Sequence, residues 1–88
     1  MASRTVLITN KRGLHARASA KFVTLASTLP AQVTVDKDGT GVVGTSIMGL
    51  MMLGAAMGDS VTISGDGPGA DEAVAALADL VEAKFGED

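Results

Sequence analysis

Apolar residues recur along this chain with two periods, and the switches between them lay out the elements. Residues 4–9, Arg-Thr-Val-Leu-Ile-Thr, are rich in β-branched types and stop at Asn10, which predicts a first strand. Asn10-Lys11-Arg12-Gly13 is a turn whose glycine can take a positive φ. Ala18, Phe22, Leu25 and Leu29 then fall at spacings of four, three and four, one face of an amphipathic helix over 16–28 that Pro30 stops. Val33 and Val35 alternate with Thr34 and Asp36 as a half-buried strand, Asp38-Gly39 signals a hairpin, and Val42-Val43 returns. Ser46 precedes Ile47–Leu53, two helical turns with the serine as cap. Ser60-Val61-Thr62-Ile63-Ser64 alternates as a fourth strand, and Gly65-Asp66-Gly67-Pro68-Gly69 is expected to be irregular. Asp71 and Glu72 favour a helix N-terminus, and Ala70, Val74, Leu77, Val81 and Phe85 form the apolar stripe of that last helix.

The order is β-α-β-β-α-β-α. A hairpin makes the second and third strands antiparallel, and inserting the fourth strand between the first and second gives a split βαβ unit with every neighbour antiparallel. The fold class expected is α+β, a four-stranded sheet with its helices on one face and solvent on the other.

Composition narrows the function classes. A chain of 88 residues implies a single domain spanning 1–88. With 47% hydrophobic and 19% charged residues it is not disordered, although Phe22 and Phe85 are its only aromatics. It has no cysteine and one histidine, which excludes a disulfide scaffold, a thiol nucleophile and a cysteine or multi-histidine metal site. No apolar segment follows the start, so a cytoplasmic location is expected. The net charge of −3 divides unevenly, with six basic residues against Asp36 alone up to Lys37, and nine acids against Lys84 beyond it. The basic half suits a phosphate or an acidic partner, while overall acidity and few aromatics exclude general nucleic-acid binding. Residues 39–58 carry no charge, but six glycines interrupt them, so no membrane insertion is expected. Gly39-Thr40-Gly41-Val42-Val43-Gly44 fits a G-x-G-x-x-G pattern, yet a strand falls inside it and only a two-turn helix follows; it is a hairpin and a bend, not a dinucleotide site.

The chemistry concentrates at Gly13-Leu14-His15-Ala16-Arg17-Ala18-Ser19. A lone histidine before a helix is usually an ordinary cap with a solvated arginine nearby. Here the ring would face the free N–H groups and positive end of the helix. That end and Arg17 both repel positive charge on the ring, which preserves a nucleophilic lone pair, and both would steady a negative adduct.

The segment from Gly13 to Val23 closely resembles the active centre of HPr, the histidine-containing phosphocarrier of the bacterial phosphoenolpyruvate-dependent phosphotransferase system. Thr45 to Leu53 resembles the second signature of that family, and the likeness runs over nearly the whole chain. The resemblance implies an open-faced β-sandwich. It implies that His15 accepts a phosphoryl group on Nδ1 from phosphorylated Enzyme I and passes it to a histidine of a IIA-type domain. Arg17 would neutralise the phosphate, and the backbone N–H groups of Ala16 and Arg17 would donate to it. Ser46 would match the serine modified by HPr kinase/phosphorylase. The family commonly has proline where this chain has Ala18; alanine loosens the first helical turn and adds a donor.

Ser46 is explained by capping alone, and capping is compatible with a regulatory phosphosite. Leu50 and Leu53 share the core face of their short helix. Ile47, Met48 and Met51 share the other, a flexible docking surface that Ala20 and Lys21 would extend. The chain is read as a monomeric carrier with no metal or cofactor of its own, a covalent intermediate and not an enzyme. Two rivals stand beside it: a regulatory binding module of the same fold in the nitrogen-related branch, acting through Ser46 and Met48/Met51, and a small-molecule-binding α+β domain.

Overall fold

The computed structural model describes residues 2–87. Its elements are β1 (Ala2–Leu7), α1 (Ala16–Ala26), β2 (Gln32–Lys37), β3 (Thr40–Val43), α2 (Ile47–Met52), β4 (Ser60–Asp66) and α3 (Ala70–Glu82), closed by a turn at Lys84–Gly86. The strands lie in the order β1-β4-β2-β3 and every pairing is antiparallel. This is the expected split βαβ arrangement, with β4 inserted between β1 and β2.

Strand alternation decides which face the helices cover. Val6, Val33, Val35, Val61 and Ile63 point inward and are buried. On the open face the hydroxyls of Thr5 and Thr62 lie 2.9 Å apart across paired strands. Above the inner face, α1 contributes Ala18, Phe22 and Ala26, and α3 contributes Val74, Leu77 and Val81. Leu50 anchors α2, which packs against α1 and β3.

Several boundaries differ from the sequence reading. β1 begins at Ala2 because its register with β4 runs from Ala2↔Gly65 to Leu7↔Ser60. Ile8 leaves the ladder but stays buried and pairs its backbone with Gly58 and Asp59. α1 ends at Ala26, and Thr28 and Leu29 tighten into i→i−3 bonds before Pro30. β4 continues through Gly65 and Asp66, which were expected to be irregular. A Cβ at Gly65 would sit 3.0 Å from Val74 Cγ2 and 3.1 Å from the Ala70 carbonyl oxygen, so this glycine lets α3 cross close over the strand.

The last difference lies beyond α3. Phe85 is buried as expected, but not as the last rung of α3. The helix stops at Glu82, and Lys84, Phe85 and Gly86 all take left-handed φ values of 58°, 55° and 76°. Left-handed backbone costs a non-glycine residue roughly 1–2 kcal/mol. Full burial of a phenylalanine side chain contributes about 1.5–3 kcal/mol in the other direction. The reversal also turns the residue that follows toward the start of α1.

Candidate functional site

His15 caps α1. Its backbone is extended (φ −75°, ψ −179°), and its Nδ1 accepts from the Arg17 backbone N–H at 3.3 Å. The first regular helical bond runs from Ser19 N–H to the His15 carbonyl, so the amides of Ala16, Arg17 and Ala18 belong to the open end of the helix. The sequence builds this geometry locally. Gly13 takes φ 62° where an added Cβ would overlap the Ala55 carbonyl. The neighbouring Leu14 N–H donates to that carbonyl at 3.0 Å, and the buried Ser19 hydroxyl donates to the Leu14 carbonyl at 3.2 Å. The turn is thus clamped from both sides, and the ring is aimed at the helix amides as expected.

The other edge of the ring was not foreseen. His15 Nε2 lies 2.5 Å from Glu87 Oε2. Glu87 Oε1 accepts from Asn10 Nδ2 at 3.1 Å, and the same amide donates to the Gly13 carbonyl at 2.8 Å. The sequence reading gave Asn10 the roles of ending a strand and opening the turn to Gly13; it is also fully buried and ties the His15 turn to the C-terminal tail. Lys21 Nζ donates to the Phe85 carbonyl at 2.6 Å and fastens the tail again. Because Glu87 closes the Nε2 edge, the histidine side chain is only 19% exposed, less open than a solvated cap.

Electrostatics at the site therefore have two signs. The helix end and Arg17 repel positive charge on the ring, and the Glu87 carboxylate attracts it. This corrects the sequence reading, which had only the repulsive half. Partial burial works to raise the Glu87 carboxyl, but hydrogen bonds from His15 and Asn10 and the charges of His15 and Lys21 outweigh it and hold the group below its usual range.

The remaining candidates separate. Arg17 is exposed on the first turn of α1, and among the described residues its guanidinium makes no hydrogen bond or ion pair. Ala16 is exposed beside it, while the Ala18 side chain is fully buried. Ala20 and Lys21 line a mostly apolar groove along α1, together with Arg17, Thr24 and Leu80. Ser46 caps α2, its Oγ accepting from Gly49 N–H at 3.0 Å. Ile47, Met48 and Met51 are exposed, and Leu50 and Leu53 are buried, as the helical spacing predicts. Met52, 80% exposed, is a further apolar residue that the sequence reading left out. Among the described residues no group of three or more potential ligands gathers to hold a metal, and no helix is long and apolar enough to cross a membrane.

Sheet order, a one-sided helical layer and an imidazole at an open helix end define a protein of the open-faced β-sandwich class. Comparison with known proteins then narrows the class to a family. The family described as PTS HPr component phosphorylation site matches residues 2–83. The phosphocarrier protein HPr of Cupriavidus necator is 48% identical over 87 residues, 99% of this chain and 98% of its own. A phosphocarrier protein NPr from Shewanella violacea is 44% identical, covering 96% of this chain and 92% of its own. The crystal structure of HPr-C-His from Thermoanaerobacter tengcongensis superposes with a TM-score of 0.95 at 48% identity, covering 100% of this chain and 99% of that one. The chain belongs to the HPr family, the phosphocarrier proteins of the phosphotransferase system, which carry a phosphoryl group and are not themselves enzymes.

Proposed function

We propose that His15 is the residue that carries the phosphoryl group, accepting it on Nδ1 from phosphorylated Enzyme I and yielding it to a histidine of a IIA-type domain. The observation that carries this reading is the direction of the ring. Nδ1 faces the Arg17 amide at the open end of α1, where N–H groups and the helix dipole favour an anion. Ala16 and Arg17 backbone N–H groups would hold phosphoryl oxygens, and the Arg17 guanidinium would add charge-assisted hydrogen bonds. A nucleophilic side chain suffices for this step, so the monomeric carrier needs no metal or cofactor of its own. Its place of work is the cytoplasm.

Docking falls to Ala20, Lys21, Ile47, Met48 and Met51, the groove along α1 and the exposed face of the adjacent α2. The basic first half of the chain steers acidic partner surfaces to it. Ser46 is a regulatory site for HPr kinase/phosphorylase; its phosphate would add about −1.5 to −2 charges beside that surface. Incubation with Enzyme I and phosphoenolpyruvate tests the reading. An acid-labile phosphoryl adduct is expected by mass spectrometry on the native chain and not on His15→Ala. An adduct that survives the substitution contradicts it. The NPr relative favours a second reading, service in the nitrogen-related branch, which a choice between sugar-type and nitrogen-type acceptor domains decides.

A further inference from the structure

The contact between Glu87 and His15 is held in place by more structure than a terminal side chain ordinarily has. Three separate features converge on it. A left-handed turn at Lys84–Gly86 reverses the chain, with Phe85 buried beneath it. Lys21 fastens the Phe85 carbonyl. Asn10, fully buried, grips Glu87 Oε1 with the same amide that grips Gly13 in the His15 turn. The outcome is a ring with both nitrogens assigned: Nδ1 accepts from an N–H, so it carries the lone pair, and Nε2 faces a carboxylate, so it carries the proton.

We propose that Glu87, steadied by Asn10, is a positioning residue for phosphoryl transfer. It fixes the imidazole in the Nε2–H tautomer and offsets the positive charge that the ring acquires when Nδ1 bonds to phosphorus. The proposal rests on His15 being the acceptor at Nδ1. In the step, the Nδ1 lone pair forms the N–P bond while the bond from phosphorus to the donor histidine breaks, and its electron pair returns to the donor ring. No proton leaves His15. The new positive charge spreads to Nε2–H, against the Glu87 carboxylate. The long contact from Arg17 N–H to Nδ1 gives way, and that amide is free to meet a phosphoryl oxygen. The logic is that of the carboxylate behind a catalytic histidine in hydrolases, which sets the tautomer and steadies the imidazolium.

The test uses the full-length chain with histidine labelled in both ring nitrogens. Nitrogen NMR of the unphosphorylated protein, with the ring neutral, is expected to find the Nε2–H tautomer dominant. Glu87→Ala is expected to mix the tautomers and to lower kcat/KM for acceptance from phospho-Enzyme I by roughly tenfold, the scale on which outer partners of a functional histidine act. Glu87→Gln, which keeps the shape without the charge, also lowers the rate. A Glu87→Ala protein with unchanged tautomer ratio and unchanged rate overturns the proposal. So does a phosphoryl group found on Nε2. The first result leaves the carrier reading untouched; the second also overturns its assignment of the phosphoryl group to Nδ1, and carriage by His15 itself falls separately if His15→Ala still takes up phosphate. Residue 87 follows the last helix and its side chain leaves the core intact, so loss of fold does not confound the comparison.

Discussion

The N-termini of α1 and α2 look alike and are built for different ends. Each begins with a side chain that turns back to accept a hydrogen bond from the first turn: His15 from Arg17 at 3.3 Å, Ser46 from Gly49 at 3.0 Å. The serine makes the shorter bond, to the amide three residues on, and its oxygen is committed to the helix. The histidine bond is longer, and its lone pair is more readily released to an incoming group. The larger contrast lies behind each cap. The His15 ring is backed by Glu87, Asn10 and a left-handed turn contributed from the other end of the chain. Ser46 is followed by exposed Ile47 and Met48. One cap is oriented by side chains from across the fold, and the other closes a short helix beside exposed apolar residues.

Substitutions at the two caps sharpen this contrast. The largest effect is expected for His15→Ala, which removes phosphoryl uptake from phospho-Enzyme I altogether while the circular dichroism spectrum stays native. Arg17→Glu replaces the cation beside the phosphate with an anion and is expected to lower the acceptance rate by roughly a hundredfold, as loss of a transition-state charge partner does elsewhere; stopped-flow transfer measurements check it. Ser46→Ala acts on stability instead, costing about 1 kcal/mol in urea unfolding because the Gly49 amide loses its partner. If Ser46→Ala slowed transfer as much as Arg17→Glu, the division of labour between the caps would be wrong.

The smallest effect concerns pH. The Glu87 carboxyl is held below its ordinary value in the folded chain. Its contribution to holding the tail is therefore fully present above the unfolded carboxylate value of about 4.3 and is lost as pH falls through the lower folded value. Amide exchange at Lys84–Glu87 should stay slow at pH 5 and accelerate only in the acid range, whereas the Ser46–Gly49 cap has no titrating group and keeps its protection there.

Much of this was legible in the sequence, and the unread part has one physical cause. Val33/Val35 and Val61/Ile63 alternate as half-buried strands must, and Ala18, Phe22, Val74 and Leu77 mark helical faces; pairing rules allowed the insertion of the fourth strand between the first and second, and the structure has it. Gly65 misled because a glycine reads as a break, whereas here it is a point of close helix crossing inside a strand. Phe85 kept the helical spacing of α3 but reaches the core through a left-handed turn that spacing does not encode. Within the site, His15, Arg17 and Ser46 could be singled out as candidates because they sit in local motifs. Asn10 and Glu87 were missed because their meaning arises only when residues 77 apart in sequence are brought together. Charge offered one hint, an acidic tail on a chain with a basic first half, but charge alone names no partner.

Which ring nitrogen receives phosphorus is the central question for this site. Phosphorus–nitrogen coupling in labelled protein, taken after incubation with Enzyme I and phosphoenolpyruvate, measures this directly. Coupling to His15 Nδ1, with Nε2 still protonated, is the predicted result; coupling to Nε2, or a phosphoryl group on any other residue, would contradict it.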